Sequence, residues 1–172
     1  MKPGYIHKEA CRLVRQAGTR NPFKIAKQLG IHVIFDNNFK SLKGMYKIIQ
    51  RSRFIFINEN LSSRSQKTIC AHELGHDRFH RRFAKTNVLQ EFMLYDMQTK
   101  PEYEANIFAC ELLIDDADIL YLIGIGYDIY QIASEIDEDM NLVLIKIDEL
   151  RKRGHDLRVP YRPHADFLQN DL

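Results

Sequence analysis

The sequence has no long hydrophobic run. Its longest mostly apolar stretch, Ile119 to Tyr127, is interrupted by Gly124 and Gly126 and is about half the length needed to cross a bilayer, so no membrane span is expected. Met1 to Arg20 alternates charged and apolar residues and lacks the apolar core of a secretory signal, so a cytoplasmic setting is expected. Cysteine is scarce. Cys11, Cys70 and Cys110 are odd in number and widely spaced, which fits neither a disulfide framework nor paired zinc-ribbon ligands and suits a reducing compartment. Charge of one sign is not in excess either: 25 basic and 23 acidic side chains leave a formal net charge of +2, so long-range electrostatics does not mark a nucleic-acid or membrane binder. Repeats, low-complexity tracts and linkers are lacking, and 172 residues with 45% hydrophobic side chains are expected to form one domain with a real core.

Local patterns predict two opening helices, Ile6 to Ala17 and Asn21-Pro22 to Gly30, the second with proline at its start and glycine at its stop. Ile31 to Phe35, Gly44 to Ile49 and Arg53 to Asn58 are short, rich in β-branched and aromatic residues and separated by polar turns, which predicts three strands of a small sheet. Ser62 or Ser63 can cap a long helix from Arg64 to Ala84, and Thr99 begins another that ends near Ile114. Helices near Asp128 to Asp137 and Asn141 to Arg153 follow, with an irregular tail from His155. The fold class is α+β, a small three-stranded sheet packed against a helical bundle.

The chemistry-bearing segment is His72-Glu73-Leu74-Gly75-His76. Histidines four apart on a helix lie about 40° and one turn apart, within reach of a single ion. Glu73 is rotated to the adjoining face, beside an open coordination position without being a ligand, as a general base requires. With 7 histidines in 172 residues, a chance His-Glu-x-x-His is expected only roughly 0.02 times. The stripe Ile69, His72, His76, Phe79, Phe83 follows helical spacing and turns both histidines toward the core. The bland alternative, two buried histidines paired with carboxylates, leaves Glu73 unexplained. Gly75 in mid-helix implies close approach of a neighbouring backbone, or is merely tolerated.

A third ligand is expected from a second helix. Glu102 shares a face with Ala105, Asn106, Ala109, Leu112 and Leu113, whereas Glu104 shares one with Glu111 and Asp115, so Glu102 is expected to point inward. Asn106, one turn on, can hold a ligand side chain by a hydrogen bond. Two alternatives stay open: Glu102 as only the capping partner of Thr99, and Glu104 as the ligand. The expected centre is therefore one zinc ion per chain on His72, His76 and Glu102, with Glu73 as base and Asn106 as support.

The segments Asn21-Pro-Phe-Lys-Ile-Ala-Lys-Gln-Leu-Gly30, Phe54-Ile-Phe-Ile-Asn58, Ala71-His-Glu-Leu-Gly-His76 with His80, and Glu102-x-Glu-Ala-Asn-x-Phe-Ala109 followed by Glu111-Leu-Leu together resemble the ImmA/IrrE metallo-endopeptidases of bacteria, phages and mobile elements. The resemblance runs from about residue 5 to 150. It implies a zincin-like fold and a gluzincin-like site in which the motif histidines and the first glutamate of the second segment bind zinc, with a helix-turn-helix transcriptional repressor as protein substrate. On that reading residues 1–172 form one metallopeptidase domain, with 1–60 supplying helices and sheet, 61–115 the zinc-site helices, 116–154 helices resembling a helix-turn-helix, and 155–172 a tail. One departure stands out: the Leu-Leu pair continues into Ile114-Asp115 where similar chains have Met-Pro.

His80 extends the histidine series by a turn too far for one ion and reads as a core or cleft residue. Arg78, Arg81, Arg82 and Lys85 read as a solvated helix end. A DNA-binding regulator with structural zinc is the alternative function, since Ile129 to Ile136 and the following helix resemble half of a helix-turn-helix. From Asp128 to Leu150, however, seven acids face Lys146 alone, a poor surface for phosphates that argues against direct nucleic-acid binding. A zinc-bearing sensor with little peptidase activity is a third class. Substrate is expected to add as a strand along Arg53 to Asn58, and Tyr95, Tyr103, His155, Tyr161 and His164 are all candidate oxyanion donors.

Overall fold

A computed structural model describes residues 4–84, 89–91 and 99–159. Helix α1 (Tyr5–Ala17) is followed by α2 (Pro22–Gln28), which starts where the Asn21 side chain accepts from the Phe23 and Lys24 backbone N–H groups. Strands β1 (Ile31–Asp36), β2 (Gly44–Ile49) and β3 (Ser52–Asn58) then form the three expected strands. A fourth, short strand, β4 (Leu89–Glu91), adds to β2, giving the order β1-β3-β2-β4.

This order corrects the expected substrate edge. β3 pairs in parallel with β1 from Ile31↔Arg53 to Asp36↔Asn58 and antiparallel with β2 from Gly44↔Ile57 to Ile49↔Ser52. It is an interior strand, both its ladders are filled, and Ile55 and Ile57 are fully buried. Among the described residues the open edges belong to β1 and β4.

The expected long helix is also divided. Helix α3 (Ser63–Phe79), capped by Ser62 through the Ser65 N–H, stops at His80 (φ −121°, ψ 16°), and the short α4 (Arg81–Ala84) follows. Asp77, fully buried, accounts for the break. It accepts from the Tyr46 hydroxyl at 2.7 Å and from Arg53 Nη1 at 3.1 Å, while Arg81 Nη2 bonds its other oxygen at 2.7 Å. Arg78 Nη2 bonds Glu9 of α1 at 2.7 Å. Arg78 and Arg81 thus tie the helix end to Glu9 and Asp77, while Arg82 is exposed as expected of a solvated helix end.

Helix α5 (Lys100–Leu113) is capped by Thr99. Ile114 ends it, and Asp115 caps an unforeseen helix, α6 (Asp116–Gly124), by accepting from the Ala117 N–H at 2.8 Å. This is the Ile114-Asp115 pair that follows Leu112-Leu113. Helices α7 (Ile129–Glu135) and α8 (Met140–Lys152) close the described chain apart from residues 153–159. Helix α3 packs on β2 and β3 on one side and on α5 on the other, and α5 in turn packs on α1 and α8. The motif helix therefore lies between sheet and bundle, in the dry middle of an α+β fold. No described helix is long and apolar enough to cross a membrane.

Candidate metal centre

The backbones of α3 and α5 touch at Gly75. A Cβ there would lie 2.9 Å from the Ala105 Cα and 3.3 Å from its carbonyl oxygen, so only glycine fits, and the neighbouring backbone inferred from mid-helix glycine is that of α5. Residues on either side of Ala105 consequently reach α3. His72 Nε2 and His76 Nε2 stand 3.1 Å apart, with Glu102 Oε2 3.0 Å from the first and 3.4 Å from the second. Ligands about 2.0–2.1 Å from a tetrahedral zinc stand about 3.3 Å from one another, so these three atoms have the spacing of three corners of that tetrahedron.

Proton bookkeeping says what the triangle can hold. Asn106 Oδ1 lies 2.9 Å from His72 Nδ1; with the amide oxygen as acceptor, Nδ1 carries the proton and Nε2 presents a lone pair. On His76, Nδ1 lies 3.0 Å from His80 Nδ1, and His80 Nε2 lies 3.1 Å from Glu104 Oε2. A carboxylate only accepts, so with one proton on its ring His80 donates from Nε2 to Glu104 and accepts at Nδ1 from His76. His76 Nε2 is then bare as well. Burial pushes the His76 imidazole down to about 4, which keeps it a neutral donor at neutral pH. Burial alone would raise the Glu102 carboxyl, but its contacts with His72 and His76 outweigh that and hold it below the usual carboxylate range. Two imidazole lone pairs and a carboxylate oxygen thus converge on one point, a donor set that fits a divalent borderline-soft cation such as zinc.

The α5 carboxylates Glu102 and Glu104 lie against different histidines. Thr99 Oγ1 receives the backbone N–H of Glu102 at 3.4 Å, while the Glu102 carboxylate turns to the histidines. Glu104 is more deeply buried than Glu102, against the inward–outward division of the helical wheel, because residues 104–113 are buried on every face. Its face is an internal polar one: Glu104 meets His80, and Glu111 meets Lys146. His80, expected as a core or cleft residue, is hydrogen-bonded at both ring nitrogens, and its position one turn beyond His76 is the signal for the His76 contact.

Glu73 is fully buried and turns to the sheet. A Cβ on Gly44 of β2 would lie 2.3 Å from Ile69 Cγ2 and 3.0 Å from Glu73 Oε1, so Gly44 is the gap that admits this carboxylate between α3 and β2. Of the stripe residues, Ile69, His72 and His76 are buried and Phe79 is half-buried; the Phe83 side chain lies outside the described ones. So do Tyr95, Tyr161 and His164, and Lys85. The Tyr103 hydroxyl accepts from Lys152 at 2.8 Å, and His155 is exposed beyond α8.

Among the described residues His7, Glu111 and Asp116 form a second cluster with metal-like spacing. Its centre is filled: Lys146 Nζ lies 2.5 Å from Glu111 Oε2 and from Asp116 Oδ1, and Arg153 Nη2 lies 2.9 Å from Asp116. This is an ion-pair network joining α1, α5, α6 and α8.

Comparison with known proteins gives three findings. The family model Peptidase M78, described as the IrrE N-terminal-like domain, matches residues 26–147. Two curated relatives are similar: an uncharacterized immunity region protein 2 of Bacillus phage phi105, 40% identical over 61% of this chain and 65% of its own length, and the metallopeptidase ImmA of Bacillus subtilis (strain 168), 29% identical over 60% of each. The chain thus spans less than two thirds of either relative. Among solved structures, a Mycobacterium tuberculosis transcriptional regulator shares the fold, with a TM-score of 0.59 and 15% identity over 83% of this chain and 46% of that one.

Proposed function

This chain belongs to the Peptidase M78 family of IrrE N-terminal-like domains, and from that premise we propose that it is a zinc-dependent endopeptidase that cleaves a cytoplasmic helix-turn-helix repressor of a phage or mobile element. The observation that carries the reading is the convergence of His72 Nε2, His76 Nε2 and Glu102 Oε2 within 3.0–3.4 Å of one another. In this proposal His72, His76 and Glu102 hold one zinc ion per chain in a gluzincin-like site, and residues 1–172 work as one metallopeptidase domain. Bound there, zinc supplies Lewis acidity, polarising a carbonyl and acidifying a water. Glu73 takes a proton from the attacking water and delivers it to the departing amine. Asn106 fixes the His72 tautomer. Burial of Glu73 between α3 and β2 holds the base out of bulk solvent.

The substrate class draws support from the phage immunity region relative and from the metallopeptidase ImmA. A cytoplasmic setting suits a repressor and three free thiols. Direct reading of DNA is disfavoured because Lys146, the lone base between Asp128 and Leu150, is 1% exposed and held by Glu111 and Asp116, and Arg151, Lys152 and Arg153 at the end of α8 compensate only partly for the seven acids. The test uses the repressor encoded nearest to this gene. Wild type with zinc should cut it, whereas Glu73→Gln, which removes a proton carrier and no ligand, should lose at least about 10²-fold in rate while keeping its metal. Equal cleavage by the two proteins contradicts the mechanism, and sequence-selective DNA binding by the purified chain contradicts the substrate assignment.

A further inference from the structure

We infer that His80 and Glu104 are positioning residues of the metal centre, a two-member relay that fixes the tautomer and orientation of His76. The inference rests on the metal-binding reading above and assigns roles to two side chains outside the ligand set.

His80 is tied to His76 twice. Its backbone N–H closes the last turn of α3 onto the His76 carbonyl at 2.9 Å, and its ring meets that of His76 through the two Nδ1 atoms at 3.0 Å. Its other nitrogen is engaged by Glu104 at 3.1 Å, and both side chains are only 9% exposed. Bulk water is therefore poorly placed to substitute for either partner.

Direction follows from the chemistry of the acceptors. Glu104 can only accept, which in the neutral ring puts the single His80 proton on Nε2 and the lone pair on Nδ1, and that lone pair accepts a hydrogen bond from His76 Nδ1–H. The other His76 tautomer would carry its proton on Nε2, in the middle of the triangle, and could not bind an ion. Helix α5 thus controls both motif histidines: His72 directly through Asn106, and His76 through Glu104 and His80. His80 itself is not in the converging set, because both of its nitrogens are already used.

The experiment measures zinc affinity of the full chain by competition with a chromophoric chelator, and the visible absorption of the cobalt(II)-loaded chain at saturation. His80→Phe removes both hydrogen bonds, whereas His80→Gln keeps an amide oxygen for His76 and an N–H for Glu104. Loss of such an outer partner typically weakens metal binding about 10–100-fold. His80→Phe is expected to show that loss with cobalt bands unmoved at saturation, and His80→Gln to recover most of it. Glu104→Leu should weaken zinc in the same direction, and it carries the test should His80→Phe fail to fold. Unchanged affinity in folded His80→Phe and Glu104→Leu overturns the relay. So does equal weakness of folded His80→Gln and His80→Phe, which would mean packing alone, or a shift of the cobalt bands, which would make His80 a ligand. A wild-type chain that binds no zinc overturns the metal-centre reading itself and is distinguishable from all three.

Discussion

Glu102 and Glu104 stand two residues apart on α5 and meet different histidines, Glu102 those of α3 and Glu104 its C-cap His80. Glu102 Oε2 lies within 3.4 Å of both motif imidazoles, while Glu104 meets His80 through Oε2 and Lys100 through Oε1. Removing them should therefore have different results. Glu102→Ala should lose the stoichiometric zinc of the wild type, and Glu104→Ala should still take up one zinc per chain at saturating metal, as counted by metal analysis after gel filtration; the reverse pattern would exchange their roles. His72, Glu73 and His76 were legible because a four-residue spacing on a helix is a local property. Asn106 and Glu102 were legible because they share a face with small and apolar residues. The relay was not: Glu104 and Glu111 look like a solvated face in sequence, and only the partners His80 and Lys146, from other helices, make that face an internal one.

The contact between α3 and α5 is the element-level determinant of the site. Gly75→Ala gains up to about 1 kcal/mol of helix propensity, but its methyl group would meet the Ala105 backbone at 2.9 Å, and overpacking of this kind costs about 1–3 kcal/mol. The variant should be net destabilised in denaturant titration and should bind zinc more weakly, because displaced α5 carries Glu102 and Asn106 with it. Stability and zinc affinity equal to wild type would show that the helices separate freely. The three main strands could be read from β-branched and aromatic runs, but not their order: the alternation Arg53-Phe-Ile-Phe-Ile-Asn58 serves an interior strand as well as an edge. Only the ladders with β1 and β2 decide it. In the same way Asp77, by gathering Tyr46, Arg53 and Arg81, ends α3 earlier than its helical pattern does.

Across the whole molecule, the buried network around Lys146 ties the C-terminal helices to the helix that carries Glu102. Lys146→Met leaves Glu111, 1% exposed, without its nearest cation, and breaking a buried pair in this way costs about 3–5 kcal/mol. Burial pushes the Asp116 carboxyl up, but Lys146 and Arg153 hold it below its ordinary value of 3.8. A carboxyl lowered in the folded state contributes stability in full above that value and loses it as the pH falls through the folded one. The Lys146→Met variant should accordingly be less stable at neutral pH and lose less on acidification below about pH 4; a parallel acid loss in both proteins would exclude Asp116 as its source. The central claim concerns where one ion sits, and anomalous diffraction at the zinc edge from crystals of the zinc-loaded chain tests it most directly. The account predicts a single strong peak about 2.0–2.2 Å from His72 Nε2, His76 Nε2 and a Glu102 carboxylate oxygen, whereas no peak there, or one between His7, Glu111 and Asp116, would contradict it.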